Sequence, residues 1–233
     1  MPTWGIHLYI AKKVNRRLKI KDYNDFLIGN IITDINNGYV VKNISKIIQH
    51  KKTHYYSEIK MKKGSQMHYD VEQFIKDNSK NIQEAVVLGY ITHLLADEYW
   101  NNVTYERHGL YNEKNELIGM KLNDKTEIVV DMNTRRKMKQ SDFKIFTNYL
   151  YKNKLIDIPV YDEKVCDKIK NIKQIELTKE DIDKTINYLQ NAQNNFTLDT
   201  TDYEIFTLKE MKECIDLCTE YIVDYLKVHN INL

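Results

Sequence analysis

The chain has 233 residues, enough for one domain with a sizeable core. Seven Gly and two Pro are few for this length, which favours helices over strands and tight turns. The 35 basic and 33 acidic residues give a formal net charge of +2, so the composition lacks the basic excess typical of non-specific nucleic-acid binding. We therefore predict an all-α protein, a multi-helix bundle, that does not bind nucleic acid.

Apolar periodicity and capping residues predict four helices before the middle of the chain. The first three are followed by a basic connection that holds His50 and His54. The three helices before the connection are predicted at about 4–19, 23–35 and 40–49, and the helix after it at about 68–78.

A central helix is predicted at about 81–102, and the pattern breaks from 103 to 128, which suggests a long loop or flap, or a small hairpin. Helices return after that segment, at about 131–153, 162–171, 179–195 and 207–229. We predict a single helical domain over residues 1–233, in which residues 1–102 carry the functional half and residues 129–233 close the bundle.

Neither the cysteines nor the amino terminus indicates a secreted or membrane protein. Cys166, Cys214 and Cys218 fit buried thiols better than a zinc motif, because no Cys or His pair completes a four-ligand set. The first residues, Met1-Pro-Thr-Trp-Gly-Ile-His, lack the basic and apolar regions of a signal peptide. No apolar run is long enough for a membrane span, so we expect a cytoplasmic protein.

The central helix carries Gly89-Tyr-Ile-Thr-His93-Leu-Leu-Ala-Asp97-Glu-Tyr-Trp100. Its apolar composition indicates a buried helix, and His93 and Asp97, four residues apart, lie one above the other on one face. Such a pair can bind one metal ion, although a buried His–Asp hydrogen bond would explain the spacing equally well. Gly89 lies one turn earlier and leaves room for the close approach of another group.

Further ligand-type residues occur in other segments. His7 and Asp34 lie in apolar stretches of the first two predicted helices, and His54 precedes two tyrosines. Three imidazoles and two carboxylates are ligands that suit zinc. Helix bundles build metal sites from side chains that project into the core from facing helices. The combination therefore predicts a metal site in the core of the bundle.

Four segments appear in an order that resembles the zinc-dependent phospholipase C family, whose helical fold is shared with single-strand-specific zinc nucleases. The resemblance covers roughly the first 100 residues, and its most specific part is the central helix. The segments are Trp4-Gly-Ile-His7, Gly29-Asn-Ile-Ile-Thr-Asp34, Thr53-His54-Tyr55 and Gly89 to Trp100.

The resemblance implies a set of ligands. Asp34, His54, His93 and Asp97 would hold a first zinc ion. Asp97 would bridge to a second zinc ion that is also held by His7. Asp34 would be the catalytic residue that positions or deprotonates the attacking water.

The chain also departs from the pattern of that family. Secreted members use the amine and carbonyl of an amino-terminal Trp as zinc ligands, whereas Trp4 is internal here. The His, His, Glu triplet that holds a further zinc is missing after Asp97, so we expect one or two zinc ions. Ile35 and Lys51 stand where the family has choline-binding aromatic residues, which argues against a phosphatidylcholine headgroup.

Several other residues compete for these roles. His50 and His54 are four residues apart and could both bind a metal if their connection is helical. His68 opens the helix predicted at 68–78, where an exposed position is ordinary, and His108 in the loop could reach a substrate. Asp142 offers a carboxylate, although capping of its helix is the simpler interpretation.

We therefore expect a zinc-dependent hydrolase of phosphoester bonds, a phosphodiesterase similar to phospholipase C, that acts on a small phosphoester or a phospholipid. Two other classes stay open. In one, a closed metal site stabilises a helical binding module that does not catalyse a reaction. In the other, the His and Asp residues are core hydrogen-bond partners of a helical binding protein and no metal is involved.

Overall fold

The computed structural model describes residues 2–60, 65–195 and 202–231, and this part of the chain is mostly helical. Its α-helices are α1 (Trp4–Leu18), α2 (Tyr23–Ile35), α3 (His50–His54), α4 (Val71–Asp77), α5 (Ala85–His108), α6 (Met132–Lys152), α7 (Glu163–Ile169), α8 (Lys179–Asn194) and α9 (Leu208–Val228). Its strands are β1 (Tyr56–Lys60), β2 (Ser65–Tyr69), β3 (Gly109–Tyr111), β4 (Leu117–Lys121) and β5 (Glu127–Val129).

The centre of the fold is α5, in which every residue from Ala85 to Asp97 is buried. Helix α2 packs along it at a very short distance, because glycines face each other where the two helices meet. A Cβ atom on Gly29 would lie 2.1 Å from the carbonyl oxygen of Val86, and one on Gly89 would lie 2.2 Å from that of Phe26. Only glycine permits this approach, so the prediction of a close contact at Gly89 is confirmed.

The carboxy-terminal helices pack on the amino-terminal ones. Helix α9 contacts both α1 and α5, α6 contacts α1, and α8 contacts α2. Thr178 and Thr207 cap α8 and α9 by accepting hydrogen bonds from backbone N–H groups in the first turn. In the described residues, no helix is both long and apolar enough to cross a bilayer. The single-domain organisation stays a prediction.

Two small antiparallel sheets accompany the helices, so the fold is not purely α. Strands β1 and β2 form a hairpin in which Tyr56 is opposite Tyr69, and β2 packs against α5. Strands β3, β4 and β5 form a three-stranded sheet in sequence order. This second sheet occupies most of the segment predicted as a loop, flap or hairpin at 103–128, whose first residues instead extend α5 to His108.

The prediction of a helix at about 40–49 is wrong, because this segment forms bends and irregular backbone. Side chains from elsewhere hold it. Asn36 Nδ2 donates to the carbonyl oxygen of Lys46 at 2.8 Å, and Asp181 accepts a hydrogen bond from the backbone N–H of Ser45 at 2.9 Å. These tertiary bonds replace the helical ones.

The helix predicted at 68–78 begins later, at Val71, because Asp70 caps it by accepting from the N–H of Gln73 at 2.9 Å. His68 therefore does not open a helix but lies exposed in β2. The central helix likewise begins at Ala85, after a short 3-10 turn, rather than near 81.

Candidate metal centre

The five predicted ligands converge from four helices on one buried place. His7 comes from α1, Asp34 from α2, His54 from the end of α3, and His93 and Asp97 from α5. Four of the side chains belong to residues that are fully buried, and the residue Asp34 is 9% exposed. The close contact between α2 and α5 brings the carboxylate of Asp34 beside the His93–Asp97 pair.

The imidazoles of His54 and His93 lie close to each other and to the carboxylates of Asp34 and Asp97. His54 Nε2 lies 3.3 Å from His93 Nε2, 3.2 Å from Asp34 Oδ1 and 3.6 Å from Asp97 Oδ2. His93 Nε2 lies 3.6 Å from Asp97 Oδ2 and 3.8 Å from Asp34 Oδ2. Ligands that bind zinc tetrahedrally at about 2.0–2.1 Å stand roughly 3.3 Å apart. The residues present therefore fit a metal ion.

His7 and Asp97 supply a further sign that a cation belongs here. The ring of His7 stacks on that of His93 with centroids 3.9 Å apart, and its Nε2 lies 3.3 Å from Asp97 Oδ1. Despite that distance, both ring nitrogens of His7 and both carboxylate oxygens of Asp97 are buried without a hydrogen-bond partner among the described residues. Buried polar atoms without partners are costly, and a bound metal would satisfy those that face it.

His50 lies beside His54 at the centre, so either imidazole is still a candidate ligand. Their rings stack with centroids 3.7 Å apart, as expected one turn apart on a helix. Asp34, His50 and His54 offer ligand atoms within 4.8 Å of one another, as do His7, His93 and Asp97. Two groups of His and Asp residues that could hold a metal ion are thus present among the described residues.

Hydrogen bonds from neighbouring groups turn the imidazoles so that their Nε2 atoms face the centre. His93 Nδ1 lies 2.8 Å from the backbone carbonyl oxygen of Asn30, which can only accept, so Nδ1 carries the proton and Nε2 is free to bind a metal. His54 Nδ1 lies 2.7 Å from Thr53 Oγ1, and that hydroxyl lies 3.2 Å from the backbone oxygen of His50. The sequence pattern alone does not identify Asn30 or Thr53 as a partner of these histidines.

Asp34 is held by two donors. The indole Nε1 of Trp4 donates to Oδ2 at 3.1 Å, and Asn37 Nδ2 donates to Oδ1 at 3.2 Å. Trp4 therefore contacts the centre through its side chain, although its backbone nitrogen is part of a peptide bond and is not a free amine. Asn37 lies just after the end of α2.

The charges of the centre favour a cation. Burial, and secondarily the charge of His93, lowers the pKa of His7 to about 4. Burial opposes the ionisation of Asp34 and Asp97, but His93 and its neighbours outweigh it and hold the pKa of both carboxyls below the usual range. Burial is likewise outweighed at His93, where the two carboxylates raise the pKa. The ionised carboxylates and the neutral His7 are in the forms that metals require, and a bound metal would displace any second proton from His93.

One side of the centre opens into a cleft of about 990 Å³. Asp34 and His50 line it, together with aromatic residues from several elements and basic residues of α6. His7, His93 and Asp97 do not line it and are fully buried. The centre therefore has a closed side and a side that a small molecule can reach.

The remaining candidate residues lie away from the centre. His108 Nδ1 lies 3.1 Å from the backbone oxygen of Lys121 and its Nε2 lies 2.8 Å from Glu210 Oε1, so it joins the end of α5 to α9. Asp142 does not cap α6. It lies within that helix and accepts from the backbone N–H groups of residues 204–206 at 2.8–2.9 Å. His68 lies 3.1 Å from Glu98 Oε1 at the surface.

Comparison of the chain with protein-family models, with curated proteins and with solved structures finds no match.

Proposed function

We propose that this protein is a zinc-dependent phosphoesterase, similar to phospholipase C, which hydrolyses a small phosphoester or a phospholipid. The observation that carries the proposal is that the His–Asp centre opens into the cleft through Asp34 and His50. A catalytic metal site needs such an open position, whereas a structural site is closed by protein ligands. Zinc bound there would act as a Lewis acid on a phosphoryl oxygen and lower the pKa of a water molecule toward about 7.

Asp34 is the catalytic residue that we assign to positioning the attacking water. It is the carboxylate of the centre that lines the cleft, and the N–H groups of Trp4 and Asn37 fix its orientation. Because its pKa lies below the usual range for a carboxyl group, Asp34 is ionised at neutral pH and can accept a hydrogen bond that orients the attacking water. His93, His54 and Asp97 hold the metal.

The experiment is a hydrolysis screen with the zinc-loaded protein against phosphomonoesters, phosphodiesters and short-chain phospholipids. We expect His93→Ala and Asp97→Ala to lose both zinc and hydrolysis. His68→Ala is the matched control, because this imidazole lies exposed in β2 and should leave both unchanged. Full hydrolysis by the two centre variants without bound metal would refute the proposal.

A second candidate is a metal-stabilised helical module without catalysis. The complete burial of His7, His93 and Asp97 favours it, since structural metal sites are closed. The two candidates differ at Asp34. If the site is catalytic, Asp34→Asn should abolish hydrolysis but weaken zinc binding less than His93→Ala does. If the site is structural, the parent protein should hydrolyse none of the substrates.

A further inference from the structure

The cleft beside the metal centre carries more positive than negative charge. Three of its charged lining residues are basic, Arg136, Lys139 and Lys144 of α6, and one, Asp34, is acidic. Arg136 and Lys144 are exposed at the surface, where isolated charges are ordinary. Lys139 is different, because only 5% of it is exposed.

Lys139 lacks the anionic partner that buried lysines need. Its ammonium nitrogen stands 5.0 Å from the centre of the Tyr105 ring, and in the described part of the chain no carboxylate lies within ion-pair distance of it. Lysine is rarely buried unless it is paired, and a cation–π contact replaces only part of the hydration that is lost. A positive charge buried at the cleft without a counter-ion points to an anionic ligand.

A second polar group without a partner lies between Lys139 and the metal centre. His93, Asp97, Asn101 and Tyr105 follow one another at four-residue intervals along α5, so they form a row on one side of the helix. Asn101 lines the cleft, is 7% exposed, and its Nδ2 has no hydrogen-bond partner among the described residues. The row leads from the metal ligands, past a free amide donor, to the ring beneath Lys139.

We propose that the cleft binds a phosphoester that carries a second anionic group, with the phosphoryl group at the His–Asp centre and the second anion on Lys139. This inference rests on the proposed function, because the phosphoryl end is assigned to the metal. Tyr105 is eight residues beyond Asp97, which is about 12 Å along the helix axis. The two anionic groups of the ligand are therefore separated by roughly that length, and Asn101 can donate to an oxygen between them.

The test is the affinity of the zinc-loaded protein for alkane bisphosphonates of increasing chain length, relative to alkyl monophosphonates of the same length, measured by calorimetry. These ligands are not hydrolysed. We expect the best bisphosphonate to bind about tenfold more tightly than its monophosphonate, since a hydrogen bond between two charged groups is strong. The preference should be largest for the longer chains and should decrease with added salt.

Lys139→Met keeps the aliphatic stem and removes the charge, so it should abolish the preference while leaving monophosphonate binding unchanged. Lys137→Met is the matched control, because this lysine is exposed on the same helix and does not line the cleft. An equal preference in Lys139→Met and the parent protein, or no preference in the parent protein, overturns the inference.

Zinc content and hydrolysis are measured on the same samples, so the two proposals fail separately. A protein that binds zinc and hydrolyses phosphoesters, but shows no preference dependent on Lys139, contradicts the anion site alone. A protein without zinc or hydrolysis contradicts the proposed function, and the comparison between Lys139→Met and the parent protein still decides whether Lys139 binds an anion.

Discussion

Replacing Asp97 by Asn should separate a metal ligand from a core hydrogen-bond partner. Asp97 is fully buried, and neither carboxylate oxygen has a hydrogen-bond partner in the described structure. Its oxygens lie 3.3–3.6 Å from the ring nitrogens of His7, His54 and His93. Asparagine keeps the shape but removes the charge that a cation requires. The variant should therefore lose stability mainly when zinc is present, because zinc stabilises the parent protein more than the variant.

The size of the effect follows from linkage between binding and folding. At a free zinc concentration about 1,000 times the dissociation constant, zinc should raise the free energy of unfolding by about 4 kcal/mol. If Asp97→Asn weakens zinc binding about 100-fold, that increment falls by about 2.7 kcal/mol at the same zinc concentration. Guanidinium denaturation in zinc buffers and in chelator measures the increment for each protein.

Asp142→Asn provides the opposite control. Asp142 is also fully buried, but it accepts three backbone hydrogen bonds from the segment before α9. Its replacement should lower stability by about 1.5–3 kcal/mol, by the same amount with and without zinc. The reasoning is refuted if zinc stabilises Asp97→Asn as strongly as the parent protein, or if the parent protein gains no stability from zinc.

Three further predictions concern the surroundings of the centre and the core. Gly89→Ala should lower the free energy of unfolding by about 1–3 kcal/mol and weaken zinc binding, because the new Cβ would lie 2.2 Å from a backbone oxygen of α2. A free energy of unfolding equal to that of the parent protein, measured by denaturation, would contradict this prediction. Thr53→Val removes the oxygen 2.7 Å from His54 Nδ1 and should weaken zinc binding about tenfold by calorimetry, whereas an unchanged affinity would show that this contact does not orient the ring. Burial raises the pKa of Cys214 to about 11 and that of Cys218 well above its usual value. At pH 8 both thiols should therefore react with a disulfide reagent only after unfolding. Rapid reaction of the native protein would contradict their burial.

The long helices are predictable from the sequence because their apolar residues recur with helical spacing over several turns. Helix α1 and helix α2 begin and end within a residue or two of the expected positions. The helix prediction at 40–49 is wrong because side chains outside the segment, those of Asn36 and Asp181, form hydrogen bonds with its backbone. Such tertiary contacts leave no periodic pattern in the sequence. Strands β3 and β5 have three residues each, too few for an alternating pattern to emerge.

The candidate ligands stand out in the sequence for a similar local reason. A histidine or carboxylate in an apolar helix is conspicuous, and the interval between His93 and Asp97 places both on one face. The groups that support the ligands are not conspicuous. Asn30 acts through its backbone oxygen, and Thr53 is one of many threonines. Lys139 looks like an ordinary polar residue of α6 until its burial and its lack of a carboxylate partner are known.

The central claim is that histidines and aspartates from separate helices share a metal ion. The most direct test is elemental analysis of protein purified without a metal-affinity tag, together with His93→Ala protein prepared in parallel. We predict one or two zinc ions per chain in the parent protein and a clear loss in the variant. A parent protein that contains no metal, and takes up none when zinc is added back, would contradict the claim.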